Sequence, residues 1–477
     1  MMKYPLTLRN ILDLHTPLRG VAGYYSSADE YPLQVHPFSN EREMIYLDTS
    51  ALTLDSSGYL GTLAHEFIHA IQFRADSTED TWVSEGLAEI GKVIAGYTSG
   101  FRGAFLTSPS ISLTLWPGIP GASIPHYGAS SLFMEYLAQQ YGTESLGVLM
   151  EEQTDGIRGI EAYLTSIGAD RNFQEVFADW VVANYLDDPQ GGIYSYPEGT
   201  VHTFVSETIE VPSKVIDDVS QYAARYYELR TDDPVVWVDF QGKMEVPLLT
   251  GEPPASGTCW WSNRGDSIDT TLTGRFDLPQ LQTLTLTYSV WYDIEEGWDF
   301  VYVEVSTDGG RTWDILEAAH TSQEDPVGNA FGHGYTGDSG GWLQDQVDLT
   351  PYSGQEVLVR FEYVTDDAIH GQGLCLDGIA IPEAGFFDNA ETDDGVWEAW
   401  GFIRTANSVP QSYLLRVIEV GDEFVVRDIR LDSDQAATFA IDGFGTRIEY
   451  AVVVIMGVAD HTTLPAPFEL TVSVPAT

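Results

Sequence analysis

The chain has 477 residues, 43% of them hydrophobic and 12% aromatic, which fits a folded protein of roughly two to four domains and excludes a disordered one. Its 72 acidic residues against 22 basic ones give a formal charge of −50, a surface that repels nucleic acid and anionic membranes and excludes both as primary partners. The same charge favours solubility and leaves carboxylates free for divalent cations, and a halophilic or an extracellular habitat accounts for it equally well.

Two cysteines, Cys259 and Cys375, are too few for a disulfide scaffold. No apolar run approaches the ~18 residues of a membrane span. Residues 1–10 lack an apolar segment and do not read as a signal peptide, so secretion, which the composition favours, implies a signal already removed.

Residues 42–48 form the first clear strand pattern. Residues 61–72 then read as one amphipathic helix, with Leu63, Ala64, Phe67, Ile68 and Ile71 at helical spacing. His65 and His69, at i and i+4, leave the same face one turn apart and can hold one ion. Glu66 can take the proton of a metal-bound water. This H-E-x-x-H pattern arises by chance in about one chain in a hundred of this length, so the third ligand carries the argument. It is supplied by a second helical stretch, residues 81–89, with carboxylates at i and i+4. Glu85 can ligate zinc, and Glu89 can accept the free ring N–H of a liganding histidine.

His65-Glu66-Phe67-Ile68-His69 followed by Trp82-Val83-Ser84-Glu85-Gly86-Leu87-Ala88-Glu89 resembles the gluzincin metallopeptidases. That resemblance implies His65, His69 and Glu85 as zinc ligands, Glu66 as general base and Glu89 as the acid behind a ligand. It also implies a zincin fold, in which the strand at 42–48 is expected at a sheet edge beside the cleft. The 64 residues before His65 are short for the upper part of such a fold, which is therefore expected to be reduced.

A Gly/Pro/Ser-rich connector at 97–125 leads to a long helix opening with His126-Tyr127-Gly128-Ala129-Ser130-Ser131. This run resembles hyicolysin-like and aminopeptidase-like gluzincins, in which a tyrosine begins a comparable helix. Tyr127, with His126 in reserve, is the expected oxyanion stabiliser, against the simpler reading of a tyrosine packed at a helix end. The Gly-x-Met-Glu-Asn run that marks the aminopeptidases is missing, which favours an endopeptidase. A further helical block at 173–185 closes this part, and residues 187–192 break the pattern.

From Val201 onward the period changes to two, and short Val/Thr/Tyr/Phe runs alternate with Gly, Asp and Pro to the end of the chain. Joints are expected at 252–257 and 381–385. The strands between them, about 130 residues in all, suit a jelly roll. Residues 259–272, 291–299 and 303–313 resemble the MAM-type jelly-roll module of immune inhibitor A peptidases, which are secreted bacterial enzymes. Modules of that kind often hold a structural calcium, so Asp266, Asp299 and Asp377 are candidate ligands, although acidic turns explain them at least as well. Cys259 and Cys375, near the module's two ends, are expected to form a disulfide in a secreted protein, or else a buried thiol pair. Arg264-Gly265-Asp266 belongs to the module's own pattern and reads as structural.

The expected architecture is multidomain: an α+β zincin-like catalytic domain at 1–205, a jelly roll at 251–384, and a β-sandwich split between 206–250 and 385–477. The expected function is that of a secreted zinc metalloendopeptidase acting on protein or peptide substrates, with calcium as a second candidate ion and a monomer favoured. The alternative is a reduced zincin whose β domains bind protein or carbohydrate.

Overall fold

The computed structural model describes residues 7–11, 21–118, 121–196, 201–251, 257–392 and 395–475. Most of the expected joint at 252–257 lies outside the described residues. Among them, no helix is long and apolar enough to cross a membrane.

Three short strands open the chain: β1 (Thr7–Ile11), β2 (Gly23–Tyr25) and β3 (Met44–Asp48). They form one sheet in the order β1–β3–β2. The strand expected at the sheet edge is thus its middle. Met44, Ile45, Tyr46 and Leu47 are buried, and a strand with no polar face needs cover and a neighbour on both sides. The edges are β1 and β2, and β2 is too short and too rich in glycine and tyrosine to show a period.

Helix α1 (Ser57–Ala75) begins where the Ser56 hydroxyl accepts a bond from the Tyr59 amide at 3.2 Å. It lies on the small sheet through Ile45, Leu47 and Tyr59. Helix α2 (Thr81–Ile94) packs closely against it. A Cβ on Gly91 would stand 2.5 Å from Ile68 Cγ1 of α1, so any larger residue there would push the two helices apart. Behind α2 lies α3 (Ile124–Tyr141), approached just as closely at Gly86, and then α4 (Gly156–Ser166) and α5 (Phe173–Leu186). Gly142, with φ of 89°, ends α3, and a capping box between Asn172 and Glu175 starts α5. Trp82, Phe133, Phe173 and Trp180 make the centre of this helical core, with ring centroids 5.5 to 6.3 Å apart.

The remaining strands make two β units. In one, the sheet order is Ala436–Asp442, Val235–Gly242, Ala466–Ser473, Ser213–Val219, so segments from both sides of the jelly roll share a single sheet. A facing sheet contains Phe424–Ile429, Tyr413–Val420 and Tyr450–Gly457, with Ala223–Leu229 beside the last. Tyr222, Tyr226, Val452 and Val454 of this unit join the core of the helices. A buried ion pair, Arg416 Nη1 to Asp179 Oδ1 at 2.6 Å, crosses the same junction.

In the jelly roll, one sheet runs through Phe300–Ser306, Glu356–Val364, Asp269–Asp277 and Trp397–Trp400. The other runs through Thr285–Ile294, Gly373–Ile381, Cys259–Trp261 and Ile403–Thr405. Leucine, valine and aromatic side chains fill the space between them. Cys259 and Cys375 form a disulfide between the adjacent strands Cys259–Trp261 and Gly373–Ile381. The strands Trp397–Trp400 and Ile403–Thr405 correct the boundary expected at 384. They complete the jelly roll, whose two sheets would otherwise leave the edges of Asp269–Asp277 and Cys259–Trp261 unpaired.

Candidate metal centre

Helical geometry aims His65 and His69 from α1 at the face of α2 that carries Glu85. His65 Nε2 lies 3.1 Å from Glu85 Oε2, His69 Nε2 lies 3.5 Å from the same oxygen, and the two ring nitrogens are 3.2 Å apart. Each opposite ring nitrogen has a side-chain oxygen close by. Glu89 Oε1 stands 3.0 Å from His65 Nδ1, and Gln72 Oε1 stands 3.0 Å from His69 Nδ1. Acceptors at both Nδ1 positions favour the tautomer that turns a bare Nε2 lone pair toward Glu85. Glu85 Oε2 is buried and accepts no hydrogen bond from the described residues. Three donor atoms of the types zinc prefers therefore converge on one point, which fits a zinc ion.

Charge gives the same answer. Glu85 and Glu89, set against Lys92, whose Nζ is 3.1 Å from Glu89, leave one negative charge beside two neutral imidazoles, and Glu66 adds a second when ionised. One zinc ion carries the matching charge. The surplus also acts on the rings. Burial disfavours their protonated forms, yet Glu85 and Glu89 outweigh it at His65 and push it up to about 10. His69 rises too, against its own burial, because of Glu85. At Glu85, burial is outweighed by His69 and His65, which hold the carboxyl well below its usual range.

Glu66 is buried beside the histidines and faces the same cavity. Burial raises its pKa, while His65, His69 and the donated Tyr25 backbone N–H act the other way. A raised pKa makes this carboxylate a stronger proton acceptor than a free one.

The cavity, of about 310 Å³, has β2 on one side, α1 and α2 beneath it, and Asp367 and Ala368 of the jelly roll opposite. Of the two residues proposed to hold an oxyanion, Tyr127 reaches it and His126 does not. Tyr127 donates to Glu85 Oε1 at 3.0 Å and stays protonated, since burial and then Glu85 raise its pKa. Its ring sits between Phe101 and Trp116. His126 is buried away from the cavity beside Trp116, and burial lowers its pKa. Adjacent helix positions point about 100° apart, so only one of the pair can face the cleft.

The calcium candidates are not gathered together. Asp299 groups with Glu295 and Asp366, whose carboxylate oxygens lie within 4.8 Å of one another. Burial above all pushes Asp299 up to about 9, Glu295 to about 8 and Asp366 to about 7. Asp266 is engaged elsewhere, accepting bonds from Thr81 and pairing with His370, and this also takes it out of any solvent-facing Arg-Gly-Asp role. Asp377, in the strand opposite Ser289, is not in the group.

Three contributors went unread in the sequence. Gln72 holds His69 and also donates to the Ser84 carbonyl at 2.9 Å, tying α1 to α2. Its position at i+3 from His69 was a usable signal. Ser84 donates to Gln72 Oε1 at 2.9 Å. The Tyr25 amide, as a backbone group, has no sequence signature.

The β half of this chain resembles an immune inhibitor A-like MAM domain. The family model of that domain matches residues 225–407, a span that takes in the jelly roll to its last strand. The pre-pro-metalloprotease PrtV of Vibrio cholerae serotype O1 (strain M66-2) is 29% identical over 155 residues, 31% of this chain and 16% of that protein. Immune inhibitor A of Bacillus thuringiensis subsp. alesti is 30% identical over 148 residues, 30% of this chain and 20% of that protein. Bacillopeptidase F of Bacillus subtilis (strain 168) is 24% identical over 105 residues, 22% and 6% of the two chains. The matched stretches span a fifth or less of these relatives.

Proposed function

We propose that the chain is a secreted, zinc-dependent metalloendopeptidase. The observation that carries this reading is the convergence of His65 Nε2, His69 Nε2 and Glu85 Oε2 beside Glu66, at the floor of a cleft open to solvent. Zinc held there by His65, His69 and Glu85 would supply Lewis acidity toward a carbonyl oxygen and toward water. The chain's own residues do the rest. β2, an edge strand lining the cavity, can take an extended substrate backbone along its open side. Glu66 takes a proton from the attacking water and returns it to the leaving amine. Tyr127 donates a hydrogen bond that steadies Glu85 and, lining the same cavity, is the group assigned to a developing oxyanion. Glu89 and Gln72 hold the two rings in register.

The first test is zinc content by mass spectrometry, paired with casein hydrolysis with and without a chelator. One zinc per chain and chelator-sensitive cleavage are expected. A second reading, a zincin-like frame whose β domains bind protein or carbohydrate, draws support from the position of the family match at residues 225–407, away from the histidines. Zinc without any cleavage would favour it.

A further inference from the structure

The cavity over the histidines continues into a second hollow of about 950 Å³, and Tyr24, Tyr25, Phe73 and Asp367 line both. This hollow runs between the N-terminal sheet and the jelly roll. Exposed Tyr31 and Phe38 stand on one wall, and exposed Trp298 stands on the other. The walls touch, because Ser27 Oγ donates to Asp367 Oδ2 at 2.5 Å. A Cβ on Gly328 of the jelly roll would also come within 2.7 Å of the Phe38 ring. The jelly roll therefore closes the trough that leads to the metal ligands.

The trough is acidic as well as aromatic. Among the described residues no Lys or Arg lines either hollow, whereas Asp76, Asp269 and Asp367 do. Nearby Arg74 is committed to Glu30 and Glu43. A cleft lined by one sign of charge between low-dielectric walls concentrates that field, attracting the opposite charge and rejecting its own. Asp367 is exposed, stands where the two hollows meet, and gives up only one of its lone pairs to Ser27.

We propose that the jelly roll forms one wall of the substrate cleft, and that Asp367 selects extended polypeptide substrates carrying a Lys or Arg side chain in the second hollow. This rests on the peptidase reading and adds a specificity to it. The aromatic walls hold the apolar parts of the substrate, including the methylene stem of the basic side chain, and the carboxylate pairs with its charged end.

The test uses the zinc-loaded full chain and a set of otherwise neutral peptides, with one Lys or one Glu moved along the positions flanking the cleaved bond. At one position Lys should be preferred over Glu by about tenfold in kcat/KM, with the difference in KM. Asp367→Asn should shrink that preference to about twofold, and Asp367→Lys should reverse it. Ser27→Ala, which removes the bond and keeps the charge, should leave the preference in place. An unchanged Lys/Glu ratio in Asp367→Lys overturns the proposal, as does loss of the preference in Ser27→Ala. Chelator-sensitive cleavage of the neutral peptide by the parent separates the two levels: without it the peptidase reading fails and this inference with it, whereas cleavage with an unmoved ratio defeats this inference alone.

Discussion

The carboxylate of Asp266 accepts hydrogen bonds from both the amide and the hydroxyl of Thr81, at 3.0 and 2.5 Å, across 185 residues of sequence. Thr81 is the first residue of α2, the helix that carries Glu85 and Glu89. Asp80, at the N-cap position, makes no side-chain cap bond, so the jelly roll supplies the cap in its place. His370, 2.7 Å from the other carboxylate oxygen, keeps Asp266 turned toward the helix. The β module is thus fastened to the element that holds a candidate zinc ligand.

Asp266→Ala should remove about 2 kcal/mol of stability, the cost of a lost cap plus a buried donor without a partner. It should also weaken zinc retention, because the first turn of α2 sets where Glu85 stands. Asp266→Asn keeps an acceptor and should cost less in both. Denaturant unfolding and zinc competition with a graded chelator measure the two effects. Zinc affinity equal to the parent in both variants would mean that the cap serves stability alone.

Glu66→Gln should keep its zinc, since Glu66 is not among the three converging donors, and should lose cleavage by at least about a hundredfold, the scale of general base catalysis. Casein cleavage at the parental rate by this variant would remove Glu66 from the mechanism.

Tyr127→Phe deletes the hydrogen bond to Glu85 Oε1 and keeps the ring between Phe101 and Trp116. Loss of such an outer partner weakens metal binding or activity by about tenfold or more. Zinc affinity reduced about tenfold is the expected result. A fall in kcat with zinc affinity intact would instead assign the hydroxyl to the oxyanion.

The sequence made the centre readable and left its surroundings hidden, for reasons of distance along the chain. His65, Glu66 and His69 lie within one helical turn and a half, so spacing alone sets their mutual geometry. Glu85 lies a short connection away, on a helix that the glycine at 91 lets pack tightly. His126 and Tyr127 could not be told apart, because the choice depends on which way α3 rolls against Trp116 and Phe101. The Asp266 cap and the Asp367 wall depend on how whole domains dock, which no local pattern encodes. The end of the jelly roll is hidden in the sequence because a turn at Gly385, with φ of 69°, looks like a joint although the chain returns to both sheets after it. Of the acidic group at Glu295, Asp299 and Asp366, the sequence reading reaches Asp299 alone, since Asp366 lies far from it along the chain and Glu295 sits in an acidic run of its own.

Removal of the metal should make stability fall with rising pH. With no cation between them, His65 and His69 neutralise Glu85 and Glu89 by taking up protons. The pKa of His65 rises from 6.5 to about 10 on folding, and that of His69 rises as well. A group whose pKa is raised on folding stabilises the native state fully below its unfolded value and ceases to do so as pH passes its folded value. Chelated protein should therefore melt at progressively lower temperature between pH 6.5 and about 10. Zinc-loaded protein, whose imidazoles are neutral ligands, should change little over that window, so the gap between the two melting curves should widen with pH. Parallel curves across the window would mean that the histidine protons are not linked to the metal site.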